Sequence, residues 1–302
     1  MSSNRVRVNI GDQTLSLSNL SKVLYPETGF TKGEVIDYYV SVADPLLAHL
    51  ADRPLTRKRW PDGVDAQPFF EKNAPRGTPD WARVVHIAEH GDAGVDYIVA
   101  DDLATLVWLA NLAALELHVP QWKVDNDGKI QPVDMLVFDL DPGPPATIVD
   151  CAQVALLLRD RLAEDELRCW VKTSGAKGAQ MYVPVSPTSD EQTSEYAKAL
   201  AEQLSSEHPD LVVARMTKQV RAGKVFIDWS QNNAAKTTVA PYSLRGTAQP
   251  SVSTPLTWEE VEAAKKLADL RFGPQDVSDR LEDVGDLLES MRMTRQSLPA
   301  AS

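Results

Sequence analysis

Hydrophobic and polar positions follow two rhythms along this chain of 302 residues, and the places where the rhythm changes outline its elements. Residues 5–10 alternate with the period of a half-buried strand. Thr31 followed by Glu34 forms a capping-box pattern, after which Val35, Tyr38, Tyr39 and Val42 fall at helical spacing. A second helix is predicted over 101–117, opened by Asp101 or Asp102 and carrying Leu103, Leu106, Val107, Ala110 and Leu117. The middle of the chain is the most regular part. A strand at 134–140 leads through Pro-Gly-Pro-Pro into a helix near 147–163 that carries Val154, Leu157, Leu158 and Leu162. Strands at 168–173 and 179–185 flank a glycine turn, and a helix near 190–206 follows, then short strands at 211–214 and 224–229. Helices mixed with strands, some of them joined by a turn, predict an α+β fold with a mixed or antiparallel sheet. No Gly/Ser- or Pro-rich linker divides the chain, so the expectation is one compact domain over 1–302, with two lobes, an ordered core over about 5–290 and a frayed end at 293–302.

Composition narrows the class. Hydrophobic residues make up 43% and charged residues 25%, as in ordinary globular proteins. No apolar run approaches the roughly 20 residues of a membrane span, and the first ten residues lack the apolar core of a signal peptide. Cys151 and Cys169 have neither metal-type spacing nor the numbers for a disulfide framework, which suggests buried, inert thiols in a reducing cytoplasm. A net charge of −12 argues against nucleic-acid binding through bulk positive charge. Its distribution alters that picture. Positive charge gathers at Arg53, Arg57, Lys58 and Arg59 and again at Arg215, Lys218, Arg221 and Lys224, while acid concentrates between Glu259 and Glu289. Such runs serve equally as solvated faces or as a local basic groove.

The sharpest chemical signal is the segment 134–144, Asp-Met-Leu-Val-Phe-Asp-Leu-Asp-Pro-Gly-Pro. An apolar strand runs into Asp139-Leu140-Asp141 and stops at Pro142-Gly143. Side chains alternate along a strand, so both carboxylates project from one face and Leu140 from the other. Two like charges side by side call for a counter-charge, and a divalent cation is the usual one, although polar residues at a strand end also serve simply to mark a turn. A second apolar strand, 224–229, carries Asp228 in matching context; read alone, it is either a third ligand or an ordinary strand-end acid. Three carboxylates from two strands suit a pair of Mg²⁺ or Mn²⁺ ions about 4 Å apart, the arrangement that clamps a phosphoryl transfer.

Between the strands at 168–173 and 179–185 lies Thr173-Ser174-Gly175-Ala176-Lys177-Gly178. Its glycines let backbone N–H groups turn toward an anion, with Ser174 and Lys177 adding a hydroxyl and a charge, but it lacks P-loop spacing and by itself also fits a plain glycine hairpin. Arg57, Lys58 and Arg59 end a predicted strand and either meet phosphates or lie on the surface. Phe69-Phe70 stacks on bases or belongs to the core, and His118 follows the apolar helix as a core or a site residue. His49, His86, His90 and His208 show no metal spacing.

Taken in order, these segments resemble the polymerase domain of bacterial ligase D and its stand-alone relatives, within the archaeo-eukaryotic primase superfamily. The resemblance runs through 20–32, 53–65, 68–72, 116–122, 136–143, 172–178, 216–232 and 236–246, nearly the whole chain. It implies a catalytic core related to the RNA-recognition sheet, packed beside a second α/β lobe. It also implies roles that spacing does not establish. Asp139, Asp141 and Asp228 would bind two catalytic metals, Mn²⁺ or Mg²⁺. Ser174, Lys177 and Gly178 would hold the incoming nucleoside triphosphate, with His118, Lys236 and Arg245 nearby. Lys58 and Arg59 would lie beside primer and nucleotide, and Phe69 and Phe70 against template bases. Asn19, Lys22 and Lys32 would take the 5′-phosphate across a gap; the first turn of a capped helix, where Lys32 falls, is itself favourable to an anion. Lys218 and Arg221 would lie on a loop touching template or a second DNA end.

One position departs from the family. Where its members usually carry a histidine that contacts the triphosphate, this chain has Gln180, which donates a hydrogen bond but carries no charge, so weaker nucleotide binding is expected. The implied activity is template-directed nucleotide addition at gapped or broken DNA bearing a 5′-phosphate, with a ribonucleotide preference. The implied setting is the bacterial nucleoid, with Ku and a DNA ligase as partners, no membrane, and a monomeric protein. Two rivals are weighed. A haloacid-dehalogenase-like phosphatase also has an apolar strand ending in Asp-x-Asp, but that motif opens its domain and continues differently. A non-catalytic DNA-end-binding module is suggested by Gln180 and opposed by the three retained acids.

Overall fold

The computed structural model describes residues 5–88 and 94–299, with backbone alone at Lys218. His90 and residues 300–302 of the expected frayed end lie outside the described residues. The α+β expectation is met by two sheets, each with its own helices. Among the described residues one sheet has seven strands, in the order Val212–Val213, Val225–Asp228, Ile130–Pro142, Ala179–Thr188, Trp170–Thr173 and Pro255–Leu256, with Trp122–Val124 added against Ile130–Pro142. All its pairings are antiparallel except that of Val212–Val213 with Val225–Asp228, so the sheet is mixed.

Alternation decides how this sheet is used. Leu136, Phe138 and Leu140 of the central strand are fully buried and pack with Ile148, Val154, Leu158, Leu200 and Leu204 of the helices Ile148–Glu164 and Asp190–Glu207. Each such side chain contributes about 1.5–3 kcal/mol by leaving water. The intervening residues, Val137 and Asp139 among them, face the other way. Thr147 and Ser189 cap the two helices through their hydroxyls, which satisfies N–H groups that no turn of helix can reach.

The second lobe has six strands, ordered Thr238–Val239, Ala114–Val119, Pro54–Arg59, Val95–Val99 and Val84–Ile87, with Phe69–Glu71 paired to Pro54–Arg59. Its core is built around the helices Lys32–Ser41, Ala43–Leu50 and Leu103–Asn111. The expected capping box is present: the Thr31 side chain accepts from Glu34 N while Glu34 reaches back to Thr31 N. The chain from 238 to 256 joins the lobes, beginning on the six-stranded sheet and ending on the seven-stranded one.

Two expectations are corrected. The helix predicted over 101–117 ends at Asn111; Ala113 takes a left-handed conformation (φ 58°), and Ala114–Val119 is a strand, so His118 follows no helix but sits in a sheet. Leu115 and Leu117 are buried on both counts, and a short apolar run has the same hydropathy in a buried strand as in a helix. The end of the chain is also held further than expected. Gln296 accepts from Ser186 N and Arg168 N and donates to Arg168 O and Pro184 O, which ties it to the seven-stranded sheet.

One buried amide finishes the central strand. Where the neighbouring strand stops at Asp228, Asn232 takes its place: Oδ1 accepts from Val137 N at 2.8 Å, and Nδ2 donates to Val137 O at 2.8 Å and to Trp229 O at 2.9 Å. Asn232→Ala leaves the Val137 N–H and C=O unpaired in a dry environment, at about 1–3 kcal/mol each. Its unfolding free energy in urea should fall by roughly 2–4 kcal/mol.

Candidate active site

Asp139, Asp141 and Asp228 come together, the first two on one face as their spacing suggested and the third as the family resemblance implied. Asp139 lies directly across from Asp228 in the antiparallel pair of Ile130–Pro142 with Val225–Asp228, and Asp141 is two residues further on the same face. Each offers an oxygen within 4.8 Å of the others. Asp228 is steadied by Ser230, whose N–H and hydroxyl both donate to Oδ1, and by Gln231 Nε2, which donates to Oδ2 at 3.0 Å. Among the described residues no lysine or arginine forms an ion pair with any of the three. Burial, then the charges of Asp141 and Asp228, push the Asp139 carboxyl up to about 7, although the Gln180 hydrogen bond opposes this. Burial and Asp228 raise Asp141 as well, against the pull of Arg221 and Arg245. Hard oxygen donors at close range, with no cation ion-paired to them among the described residues, fit divalent metal.

The glycine turn packs against the end of the central strand. A Cβ on Gly178 would fall 2.0 Å from Leu140 O, and one on Gly143 would fall 2.0 Å from Arg221 O, so both close approaches require glycine. Ser174 Oγ accepts from Gly178 N at 3.1 Å and from Ala176 N at 3.3 Å, while the Lys177 side chain stands exposed at the tip. Arg245 reaches the turn by donating to Ser174 O at 2.7 Å. Gln180, directly across from Asp139, donates to Asp139 Oδ1 at 3.0 Å and accepts from Lys172 at 2.6 Å, so its amide is turned along the sheet.

Arg245, which pulls on Asp141, also belongs to a centre of opposite sign. The carboxylate of Glu116 is buried; its Oε2 accepts from His118 Nε2 at 2.9 Å and lies 3.4 Å from Lys58 Nζ, while its Oε1 lies 3.3 Å from Arg245 Nε and accepts from Gly246 N at 3.1 Å. Burial alone would raise Glu116, but His118, Arg245 and Lys58 overcome it and hold the carboxyl down at about 2. His118 is lowered too, because burial and the neighbouring Arg245 and Lys58 outweigh Glu116. A neutral His118 therefore presents its Nε2–H to an acceptor that has no proton of its own. Lys58, His118 and Arg245, expected near the nucleotide, are gathered by one carboxylate. Lys236 is exposed beyond the strand pair that joins Val239 to His118.

The residues expected to contact DNA fall in three places. Asn19, Lys22 and Lys32 are brought together: Lys22 N donates to Asn19 O and Lys32 N to Lys22 O. Lys32 Nζ is turned inward to Asn111 Oδ1 at 3.0 Å and Asn111 O at 3.1 Å, and burial, then Lys22, lower its pKa. Phe69 and Phe70 are exposed at 54% and 62%, which excludes the core reading; they pair with Arg59 and Lys58 across a strand edge, and Arg59 is held by Glu71 at 2.9 Å. Arg221 stacks its guanidinium 3.6 Å from the centre of the Phe226 ring and is felt by Asp141, closer to the carboxylates than expected. The Lys218 side chain lies outside the described residues.

The model of the LigD primase-polymerase domain matches residues 31–288. The chain belongs to the LigD primase-polymerase family. It is 47% identical over 277 residues to the multifunctional non-homologous end joining protein LigD of Mycolicibacterium smegmatis, an alignment covering 91% of this chain and 36% of that protein. Identity to the bifunctional non-homologous end joining protein LigD of Bacillus subtilis is 32%, over 90% of this chain and 43% of that protein. The chain thus spans 36–43% of the length of these relatives. The polymerase domain of Mycobacterium tuberculosis ligase D, solved in complex with DNA, superposes with a TM-score of 0.87 at 42% identity, over 94% of this chain and 99% of that one. A primase-polymerase domain is a nucleotidyltransferase, and the primase-type architecture implied by the sequence is the one shared with that structure. The phosphatase reading is set aside.

Within this LigD-type domain, Glu116, Lys172 and Asn232 take roles that were not expected of them. Glu116 and His118 are two apart on a strand and so share a face, a signal that the mistaken helix concealed. Lys172 and Asn232 left no local signal, since only burial distinguishes them from surface polar residues.

Two outcomes follow from the electrostatics. Glu116→Ala leaves the cations Lys58 and Arg245 and the His118 N–H without their shared partner and should cost about 3 kcal/mol in chemical denaturation. Because Glu116 is depressed below its ordinary value of 4.5, the stability it contributes is present above that pH and is lost as pH falls from there toward about 2. For the triad the pKa shift runs the other way, upward, but its consequence is again felt as pH falls. A proton competes with metal for Asp139, so Mn²⁺ affinity measured by calorimetry should weaken by up to about tenfold per pH unit below a pH of about 7.

Proposed function

We propose that the chain is a single polymerase domain that fills short gaps or extends ends at DNA breaks bearing a 5′-phosphate, acting as a monomer and preferring ribonucleotides. The observation that carries this reading is the carboxylate triad within 4.8 Å, set beside the cluster of Lys58, His118 and Arg245 and the turn at 174–178. Two divalent ions, Mn²⁺ or Mg²⁺, held by Asp139, Asp141 and Asp228 would activate the primer 3′-hydroxyl and offset charge on the reacting phosphates. The chain's own residues then do the positioning. Lys177 and Arg245 offset triphosphate charge, Ser174 and Gly178 shape the turn that receives it, and Lys58, His118 and Lys236 line its approach. Gln180 spends one N–H on Asp139 and its oxygen on Lys172, and it carries no positive charge for the triphosphate, in keeping with weaker binding than in relatives with histidine there.

Phe69 and Phe70 offer aromatic faces to template bases, with Arg59 beside them and Lys218 and Arg221 toward template or a second end. Asn19, Lys22 and Lys32 form the site for the 5′-phosphate. The DNA in the mycobacterial polymerase-domain structure supports DNA as a substrate, and the names of the LigD relatives support a place in end joining. Ku and a DNA ligase as partners, and a location in the bacterial cytoplasm on chromosomal DNA, belong to the same proposal. Gap filling in excision repair uses the same chemistry. No described helix is long and apolar enough to cross a membrane.

Primer extension on a short gap with a 5′-phosphate, in Mn²⁺, tests the reading. Wild type should incorporate nucleotides, and folded Asp139→Ala should fall to background. Equal extension by the two proteins would remove the triad from the active site.

A further inference from the structure

Register places four side chains in one row across four strands of the seven-stranded sheet. Lys172 is opposite Gln180, Gln180 opposite Asp139, and Asp139 opposite Asp228. Lys172 is fully buried and forms no ion pair with a carboxylate among the described residues. It donates to Ser253 Oγ at 2.5 Å and to Gln180 Oε1 at 2.6 Å, and Ser253 in turn donates to Thr173 O at 3.0 Å. Its Nζ also lies 5.6 Å from the centre of the Tyr182 ring, whose hydroxyl donates to the same Gln180 oxygen at 3.5 Å. An amine buried without an ion-pair partner is a poor way to stabilise a core, because an apolar side chain of similar volume does so at lower cost.

We propose that Lys172 is a positioning residue for Asp139, acting through Gln180. A lysine only donates and a carboxylate only accepts, so a glutamine between them has one permitted orientation: Oε1 toward Lys172 and Nε2 toward Asp139. Without the lysine the amide is free to turn and present its oxygen to the carboxylate, which releases Asp139 from its hydrogen bond. With the lysine, Asp139 Oδ1 is held at 3.0 Å, and among the described residues no protein donor meets its second oxygen. Gln180 reproduces the donor–acceptor polarity of a neutral histidine at that position.

The inference rests on the triad binding metal, so its test measures metal directly: Mn²⁺ affinity by electron paramagnetic resonance for wild type, Lys172→Met, Gln180→Met and the double variant. Partners of metal ligands typically change affinity by about 10–100-fold, and that loss is expected for each single variant. The double variant should lose no more than either single one, since both break the same link. Thermal stability of Lys172→Met should hold or rise. In primer extension its kcat should recover at high Mn²⁺ while the nucleotide KM stays unchanged. Unaltered Mn²⁺ affinity in Lys172→Met, or losses that multiply in the double variant, would overturn the proposal. Should Lys172→Met fail to fold, unaltered affinity in Gln180→Met would overturn it equally. If wild type itself binds no Mn²⁺, the metal reading of the triad fails and takes this inference with it, an outcome distinct from tight binding that Lys172→Met leaves untouched.

Discussion

Three carboxylates held within 4.8 Å of one another repel, and much of this molecule is arranged to withstand that repulsion. At the effective dielectric of a protein surface each ionised pair costs on the order of 3 kcal/mol. The fold imposes the contact through backbone register: Asp139 and Asp228 are opposite one another because their strands pair antiparallel at that rung. Apolar burial beneath the sheet holds the rung in place, from Leu136, Phe138 and Leu140 on one strand and Val225 and Ile227 on the next. Asn232 closes the strand where its neighbour runs out. Burial, together with this repulsion, raises the Asp139 pKa, and a positive charge from outside would relieve the repulsion.

The protein balances this negative centre with a positive one built on the same logic in reverse. A single buried carboxylate, Glu116, gathers the cations Lys58 and Arg245 together with the neutral His118, so that charges which would otherwise extend into solvent converge. Arg245 is shared, since it contacts Glu116 and the glycine turn and is also felt by Asp141. The two lobes each supply one centre, and the segment 238–256 that links them delivers Arg245 and Ser253 to the seam. A chain with net charge −12 thereby acquires adjacent poles of both signs, the combination that metal-assisted chemistry on phosphates requires.

The local code of the chain was readable wherever a short stretch of residues determines the outcome. Thr31 and Glu34 capped a helix, Asp139 and Asp141 shared a face, and the central strand and its flanking helices fell close to their expected positions. The order of matching segments was enough to indicate the family. Local rhythm failed at 112–117, because an apolar run does not distinguish a buried strand from a helix until a residue such as Ala113 turns the backbone. It failed again near the end of the chain, where Gln296 is held by partners more than a hundred residues away.

What the sequence alone determined is the candidate carboxylates and the faces on which they stand, since alternation along a strand needs no partner. What the tertiary structure decided is which charges meet. The row Lys172–Gln180–Asp139–Asp228, the collection of cations by Glu116 and the exposure of Phe69 and Phe70 all depend on which strands pair and in what register. The physical reason is one of range. Side-chain direction follows from two backbone angles, whereas the burial of a charge and the identity of its partner depend on strands distant in sequence that meet only once the core has formed.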